Sequence, residues 1–330
     1  MVADRLATYR SKRDRVRTPE PVPGEGPLPS GADDTFVIQE HHARRLHWDL
    51  RLERGGVLVS WAVPKGLPRD PATNHLAVHT EDHPLEYAAF EGEIPKGEYG
   101  GGQVLIWDRG TYETEKWTER EVKVVLHGSR AIGRYVLFQT DGDNWMIHRM
   151  DPPVDPAEEP LPRDLAPMHA VPRSRLPARP DRYAFEFAWG GERALAYVTG
   201  GQVRLADAAG ADVTREHPWV RGLGEQLGAR PALLDGEIAE LEEAPTYVIF
   251  DLLHLDGHSL LGEPYHRRRA MLDGLGLAGP HWRIAPCFPG EGAAVRRVAR
   301  ERGLPGVVAK LLDSPYEPGA TCESWLLIPG

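Results

Sequence analysis

Between Phe36 and Glu53 the chain reads FVIQEHHARRLHWDLRLE, and within it His47, Asp49 and Arg51 alternate with Leu46, Trp48, Leu50 and Leu52. A strand turns every second side chain to the same face, at a repeat of roughly 7 Å. One face is then apolar. The other lines up an imidazole, a carboxylate and a guanidinium, with His41 a few residues upstream. Two imidazoles and a carboxylate suit Mn²⁺ or a similar divalent ion and leave positions open for water and a substrate oxygen. A guanidinium fork beside them binds phosphate through two parallel hydrogen bonds and offsets the charge that builds in a transition state. These residue types fit metal-assisted phosphoester chemistry. A second run, HLAVHTEDH, puts His79, Glu81 and His83 on a face opposite Leu76, Val78 and Thr80. If its strand neighbours the first, the two polar faces meet.

The bulk composition sets the frame for that site. A chain of 330 residues, 41% of them hydrophobic, accommodates two domains with real cores. No stretch approaches the roughly 20 consecutive apolar residues that span a bilayer. MVADRLATYRSKRDR has no apolar core of the secretory kind. Cys287 and Cys322 are too few for a disulfide framework or a cysteine-based zinc site. A cytoplasmic, nucleoid-associated protein with no membrane partner is the expectation. The net charge of −10 argues against coating long tracts of nucleic acid. Residues 1–150 nevertheless carry 20 Lys+Arg against 23 Asp+Glu, so a local contact with one DNA end or groove remains open.

Residues 1–35 are polar and rich in Pro and Gly; they read as a basic, flexible arm. Over residues 36–150 short apolar runs alternate with turn residues: VLVSWAV at Val57, HLAVHT at His75, GQVLIWDRG at Gly102, VKVVLHG at Val122 and GRYVLFQT at Gly133. This spacing predicts an all-β domain, a closed or nearly closed barrel. Residues 151–181 are proline-dense and without periodicity, as expected of a linker. Over residues 182–330, strand-like runs (RYAFEFAW, RALAYV, QVRLAD, PTYVIFDLLHL, GVVAKLL) interleave with helical stretches near Arg221 and Glu291, which predicts an α+β domain.

Residues 1–150 resemble the 3′-phosphoesterase module of bacterial DNA ligase D. The blocks that carry the resemblance are YRSKRD with TPEP, QEHHARRLHWDLRLE, SWAVPKG, LAVHTEDHPLEY, GEIPKGEYG and VLIWDRGTY, in the family's order. The resemblance implies a small barrel with an apolar interior and a hydrophilic active site on its outer surface. By matched position it implies that His41, His47 and Asp49 are metal ligands and that Arg51, His83 and Tyr87 hold the scissile phosphate. Arg13, Asp14, Glu20, Lys65 and Glu81 fall at supporting catalytic positions. His75 stands at a family arginine, which weakens that phosphate contact while leaving an imidazole able to take part of its role. His42, His79 and His148 read as solvated or structurally satisfied. Without the resemblance, an Arg–Asp or His–Asp pair on a strand is often only a surface ion pair worth under about 1 kcal/mol.

From Pro167 onward the chain resembles the adenylation domain of ATP-dependent DNA ligases, in the ligase D subgroup, which implies a nucleotidyltransferase-like fold. The shared marks are LLDGEI with Asp235 and Glu237, VIFDLLHLDG with Phe250 and Asp251, GVVAK ending in Lys310, and SPYEPG around Tyr316. The family's F-E-x-K-W-D-G-x-R motif reads FEFAWGGER here, with Ala188 at the lysine and Gly190 at the aspartate. A ligase needs that lysine amine to attack the ATP α-phosphate. Alanine supplies none, and Lys310 is the sole lysine in residues 151–330. Pro305, Ala208 and Leu327 also replace a glutamate, an arginine and a lysine of the family, and the domain is expected to lack the family's OB-fold after SWLLIPG. The expectation is a pseudo-ligase half with a degenerate nucleotide site (Ala188, Glu237, Lys310) and no use of ATP.

The function expected is Mn²⁺-dependent healing of DNA 3′ ends in double-strand break repair by non-homologous end joining. The substrate would be a 3′-phosphate, or a 3′ end carrying a terminal ribonucleotide. DNA 3′ ends are the expected partner, with Ku and a separate ligase or polymerase as protein candidates. Two other classes stand beside it: a non-catalytic repair scaffold, and an ATP-dependent ligase active despite Ala188.

Overall fold

The structure is a computed structural model that describes residues 4–152, 155, 157–242 and 244–330. It divides into two compact units, one ending at Glu158 and one beginning at Glu159.

The first unit is built on nine strands: β1 (Thr35–His42), β2 (Leu46–Arg54), β3 (Val57–Val63), β4 (Asn74–His79), β5 (Gly92–Ile94), β6 (Gly102–Trp117), β7 (Glu121–His127), β8 (Ile132–Asp141) and β9 (Asn144–Arg149). The hydrogen-bonded order is β1-β2-β3-β4-β9-β8-β7-β6, and β6 pairs back onto β1. Eight antiparallel strands therefore close a barrel, with β5 added along β6. Closure leaves the eight barrel strands without a free edge, and the three-residue β5 alone ends the sheet among the described residues. The β2–β3 hairpin turns on Gly55 and Gly56, both at positive φ (61° and 80°), as a two-residue turn matched to strand twist requires. Phe36, Ile38, Trp48, Leu50, Leu52, Val59, Trp61 and Val63 share the inner face and are buried. Each such side chain contributes roughly 1.5–3 kcal/mol when fully buried. The runs expected at Val57, His75, Gly102, Val122 and Gly133 correspond to β3, β4, β6, β7 and β8.

Three expectations are corrected here. Residues 4–35 are not a loose arm: Ala7–Ser11 form a short helix, α1, with Tyr9 fully buried and Glu20 buried. Composition hid this because the arm's anchoring groups are polar and meet partners distant in sequence. The polar face of β2 is also not on open surface, since Asp49, Arg51 and Glu53 are all buried. Finally, β4 stops at His79, whose ring packs against Trp61 and Trp145. Glu81 and His83 lie beyond its end, and His83 joins the barrel through an isolated bridge to Leu58. The strict alternation expected across His79, Glu81 and His83 is thus broken.

In the second unit a seven-stranded sheet runs in the order Gln202–Asp207, Glu192–Thr199, Ala232–Leu241, Ala244–Leu255, Trp282–Ile284, Ala278–Gly279, with His258–Ser259 paired to Ala244–Leu255. A five-stranded sheet runs His169–Pro172, Thr321–Pro329, Gly306–Leu311, Tyr183–Ala188, Phe288–Pro289. Helices Arg221–Leu227, Tyr265–Gly274 and Gly292–Glu301 complete an α+β unit. The expected linker is also corrected. Positions 153, 154 and 156 lie outside the described residues, but from Glu159 the segment belongs to the second unit. Met168 is fully buried, and His169–Pro172 pairs in parallel with Thr321–Pro329. Prolines end periodic elements but do not prevent an edge strand.

Candidate metal and phosphate site

The antiparallel register sets His41 directly opposite His47 and Gln39 opposite Asp49, so all four share one face of β1 and β2. His41 Nδ1 lies 3.6 Å from Asp49 Oδ2, and His47 Nε2 lies 3.7 Å from Asp49 Oδ1. Candidate ligand atoms of the three residues all fall within 4.8 Å of one another. The remaining ring nitrogens are committed elsewhere. His41 Nε2 donates to the Gly100 carbonyl at 2.8 Å, and His47 Nδ1 to the Arg45 carbonyl at 2.9 Å. In each neutral ring this leaves the bare nitrogen turned toward Asp49. Metal-binding imidazoles are oriented by such partners. The donor set fits a divalent cation.

Burial alone would raise the Asp49 carboxyl, but the Arg51 guanidinium, with the two imidazoles, outweighs it and holds the group well below its usual range. Arg51 is itself nearly fully bonded. Its Nε donates to Gln39 Oε1 (2.7 Å), Nη1 to Ser60 Oγ (2.9 Å) and Nη2 to Asp49 Oδ2 (2.9 Å), while Nη1 also lies 3.0 Å from His83 Nδ1. The Tyr87 ring lies under this guanidinium, 4.8 Å from centroid to Cζ. Burial, then the charges of Arg51 and Arg13, push the His83 imidazole well below its ordinary value, so this ring is neutral at pH 7.

Above this layer the arm supplies a second one. Arg13 Nε donates to Glu20 Oε1 (2.8 Å) and Nη1 to Glu81 Oε1 (3.0 Å), while Nη2 faces His83 Nε2 at 3.4 Å. Glu20 also accepts from the Tyr87 hydroxyl (3.0 Å) and from Thr18 (2.7 Å). Glu81 Oε2 takes a hydrogen bond from Lys12 (3.0 Å). Of the expected site residues, His41, His47, Asp49, Arg51, His83, Tyr87, Arg13, Glu20 and Glu81 therefore form one connected cluster. Asp14 stands apart: it is exposed and its carboxylate accepts from the Val16 amide at 2.9 Å. Lys65 is exposed in the turn after β3. His75 shares the inner-face register of Ala77 and Ile147 and bonds the Gly66 carbonyl (2.7 Å), so it does not take over an arginine's phosphate contact.

Four of the participants missed are Gln39, Ser60, Tyr9, whose ring meets His83 edge-on with centroids 5.0 Å apart, and the Gly100 carbonyl. Gln39 sits two residues before His41, so strand alternation alone could have found it. The other three depend on pairing register or chain reversal.

In the second unit Ala188 closes its strand, buried. Glu237 accepts the backbone N–H groups of Trp189 (3.0 Å) and Gly191 (3.1 Å) that follow it. Lys310 is buried, pairs with Glu186 at 2.9 Å and donates to the Phe250 carbonyl at 3.1 Å. Arg193 grips Asp235 with two bonds of 2.6 Å, and Tyr316 donates to the same carboxylate.

Comparison with known proteins places both units. Residues 39–139 match the family described as the DNA Ligase D 3′-phosphoesterase domain, and residues 239–328 match the ATP dependent DNA ligase domain. The multifunctional non-homologous end joining DNA repair protein LigD of Mycobacterium tuberculosis H37Rv is 47% identical over 98% of this chain and 45% of its own length. The LigD of Mycolicibacterium smegmatis is 45% identical over the same shares, and that of Pseudomonas aeruginosa 32% identical over 94% of this chain. The chain spans less than half the length of these relatives. A crystal structure of the ligase domain of M. tuberculosis LigD is 37% identical, with a TM-score of 0.46, over 49% of this chain and 58% of that one. Among the described residues no helix is long and apolar enough to cross a membrane. The chain is a ligase D-like protein, in which a domain of the 3′-phosphoesterase family precedes one of the ATP-dependent DNA ligase family.

Proposed function

We propose that this chain is a divalent-metal-dependent phosphoesterase that heals DNA 3′ ends in break repair, removing a 3′-phosphate or a terminal 3′ ribonucleotide. One observation carries the reading: His41 and His47 each spend one ring nitrogen on a backbone carbonyl and turn the other toward Asp49. A bound Mn²⁺ or similar ion would supply charge neutralisation at a phosphoryl oxygen and make water more acidic.

The protein's own groups do the rest. A guanidinium has five N–H donors. Arg51 commits one each to Gln39, Ser60 and Asp49, and its second Nη1 N–H only lies near His83 Nδ1, whose hydrogen goes to the Glu81 carbonyl. This leaves an Nη2 N–H beside Asp49 for a phosphate oxygen. Tyr87 acts through Arg51, which it supports from below, and through Glu20, to which its hydroxyl is given. Neutral His83 serves as a base at its bare nitrogen, Nε2, because Nδ1 gives its hydrogen to the Glu81 carbonyl 2.8 Å away. Arg13, held by Glu20 and Glu81, adds positive charge over the site.

The second half we read as a pseudo-ligase, with ATP no cofactor of it. Ala188 offers no amine, and the lone lysine of this half is paired with Glu186. Two departures from the family motif also fit one another. A side chain on Gly190 would start 2.9 Å from the Pro305 ring, on backbone at φ 74°, so an aspartate at 190 would crowd the proline at 305 and force a local shift. The test is phosphate release from a 3′-phosphorylated primer–template with Mn²⁺ or EDTA, using the wild type and Asp49→Ala. Release by the wild type in Mn²⁺ alone supports the reading. Equal release by folded Asp49→Ala refutes it, and no release by the wild type leaves the scaffold.

A further inference from the structure

Away from the metal ligands, one mouth of the barrel holds a cavity of about 370 Å³ that phosphoester chemistry does not use. Its walls are inner-face residues. Trp61 on β3, His79 at the end of β4, Trp145 on β9 and Trp117 at the end of β6 line it, with Val59 and Val122. The rim comes from Arg5, Asp82, Glu119, Asp143 and the turns that carry them. Asp49 pairs with Ala62, whereas His79 pairs with Trp61 on the opposite face of β3, so the barrel wall separates this cavity from the metal ligands.

The aromatic walls stand at steep angles. Trp61 meets His79, Trp117 and Trp145 with ring centroids 5.4, 6.5 and 5.6 Å apart and interplanar angles of 62°, 61° and 68°. These contacts are edge-to-face, and where a ring face borders the cavity its negative π surface attracts cations with an apolar shell. The rim charge has the matching sign. Arg5 is spent on Asp82 at 2.8 Å, while Glu119 and Asp143 make no ion pair among the described residues. Burial holds the His79 ring below its ordinary range and therefore uncharged, so it adds no repulsion. Trp117 already shows the contact in miniature, with the Arg54 guanidinium 5.1 Å from its ring centroid. Two unpaired carboxylates repel a nucleotide phosphate and attract a positive head. Barrel mouths are favoured places for small-ligand sites.

We propose that this cavity binds an organic cation, a guanidinium or alkylammonium group, at a site independent of the phosphoesterase centre. The cation comes either from the side chain of a protein partner or from a free polyamine. Calorimetric titration of the full chain distinguishes these with four probes: the blocked tripeptide Gly-Arg-Gly, its neutral isostere Gly-citrulline-Gly, spermidine and adenosine. Binding of the arginine peptide or of spermidine, with none of the citrulline peptide, is the expected result, and the tighter of the two identifies the source. Trp117→Ala, on the partly exposed rim, should weaken that binding roughly two- to thirtyfold. Asp143→Asn should weaken it while leaving the barrel intact, and serves as the second variant should Trp117→Ala misfold. Equal binding of the citrulline peptide, binding of adenosine in place of the cations, no binding of any probe, or unchanged affinity in both folded variants would each overturn the proposal.

Discussion

Arg51 Nη1 lies 3.0 Å from His83 Nδ1 although β3 runs between the strand that carries Arg51 and the segment that carries His83. Ser60 makes this possible. It sits opposite Arg51 on β3, is small enough to be bridged, and accepts from Arg51 at 2.9 Å while lying 3.4 Å from His83. Arg51, proposed to bind phosphate, and the neutral His83 are therefore organised by a residue with no chemistry of its own.

Ser60→Ala removes the acceptor with little change of volume at this fully buried position. A buried donor left unmet costs about 1–3 kcal/mol, which translates to a loss of roughly 5- to 150-fold when it misaligns the group in the transition state. Steady-state phosphate release should show that loss in kcat/KM, with Ser60→Thr close to wild type. Wild-type kinetics in the alanine variant would show that Arg51 needs no such support.

His83 should resist protonation. Its folded-state value is depressed below the unfolded one, so between the two the unfolded chain binds a proton that the folded chain does not. Stability contributed by neutral His83 is present above about pH 6.5 and falls as pH drops below it, by up to roughly 1.4 kcal/mol per pH unit. The imidazole resonances of His83 should stay in the neutral position well below pH 6.5. An ordinary midpoint near 6.5 would contradict the buried cluster.

Arg13 and Glu20 pin the arm. Both side chains are almost inaccessible, and removing one partner of a buried pair costs roughly 3–5 kcal/mol by stranding the other charge. In Arg13→Met the amides of Arg17 and Thr18, which bond the Asp14 carbonyl, should exchange hydrogen much faster than in wild type. Adding Glu20→Gln should restore part of the protection. Unchanged exchange in Arg13→Met would mean that the arm is anchored elsewhere.

Incubation with labelled ATP and a divalent ion should leave no covalent label on the chain, because Ala188 has no amine and Lys310 is held by Glu186. A labelled adduct that survives denaturation would overturn the pseudo-ligase reading and point to Lys310.

The barrel and the polar row of β2 were readable from sequence because both obey strand alternation: His47, Asp49 and Arg51 share a face by period two whatever the rest of the chain does, whereas His41 joins them through the pairing of β1 with β2. What alternation cannot supply is register. Gly100, Ser60 and Tyr9 reach the site only through pairings of β1 with β6 and of β2 with β3, and through docking of the arm. The same face was expected to lie open because nothing in a polar, proline-rich arm advertises that it folds back. In the second unit the helix Tyr265–Gly274 escaped notice for a related reason. Its inward face carries Arg268 and Arg269, neutralised by Asp251, Glu186 and Asp273, and so shows no apolar period.

Manganese binding to metal-free protein, followed by the loss of the free-ion signal in electron paramagnetic resonance, tests the centre most directly. Wild type should take up the ion at a single site. Asp49→Asn, which keeps the shape but removes the charge, should lose more than the roughly 10- to 100-fold in affinity that losing an orienting partner costs. Equal uptake by both proteins, with the variant folded, would contradict the account.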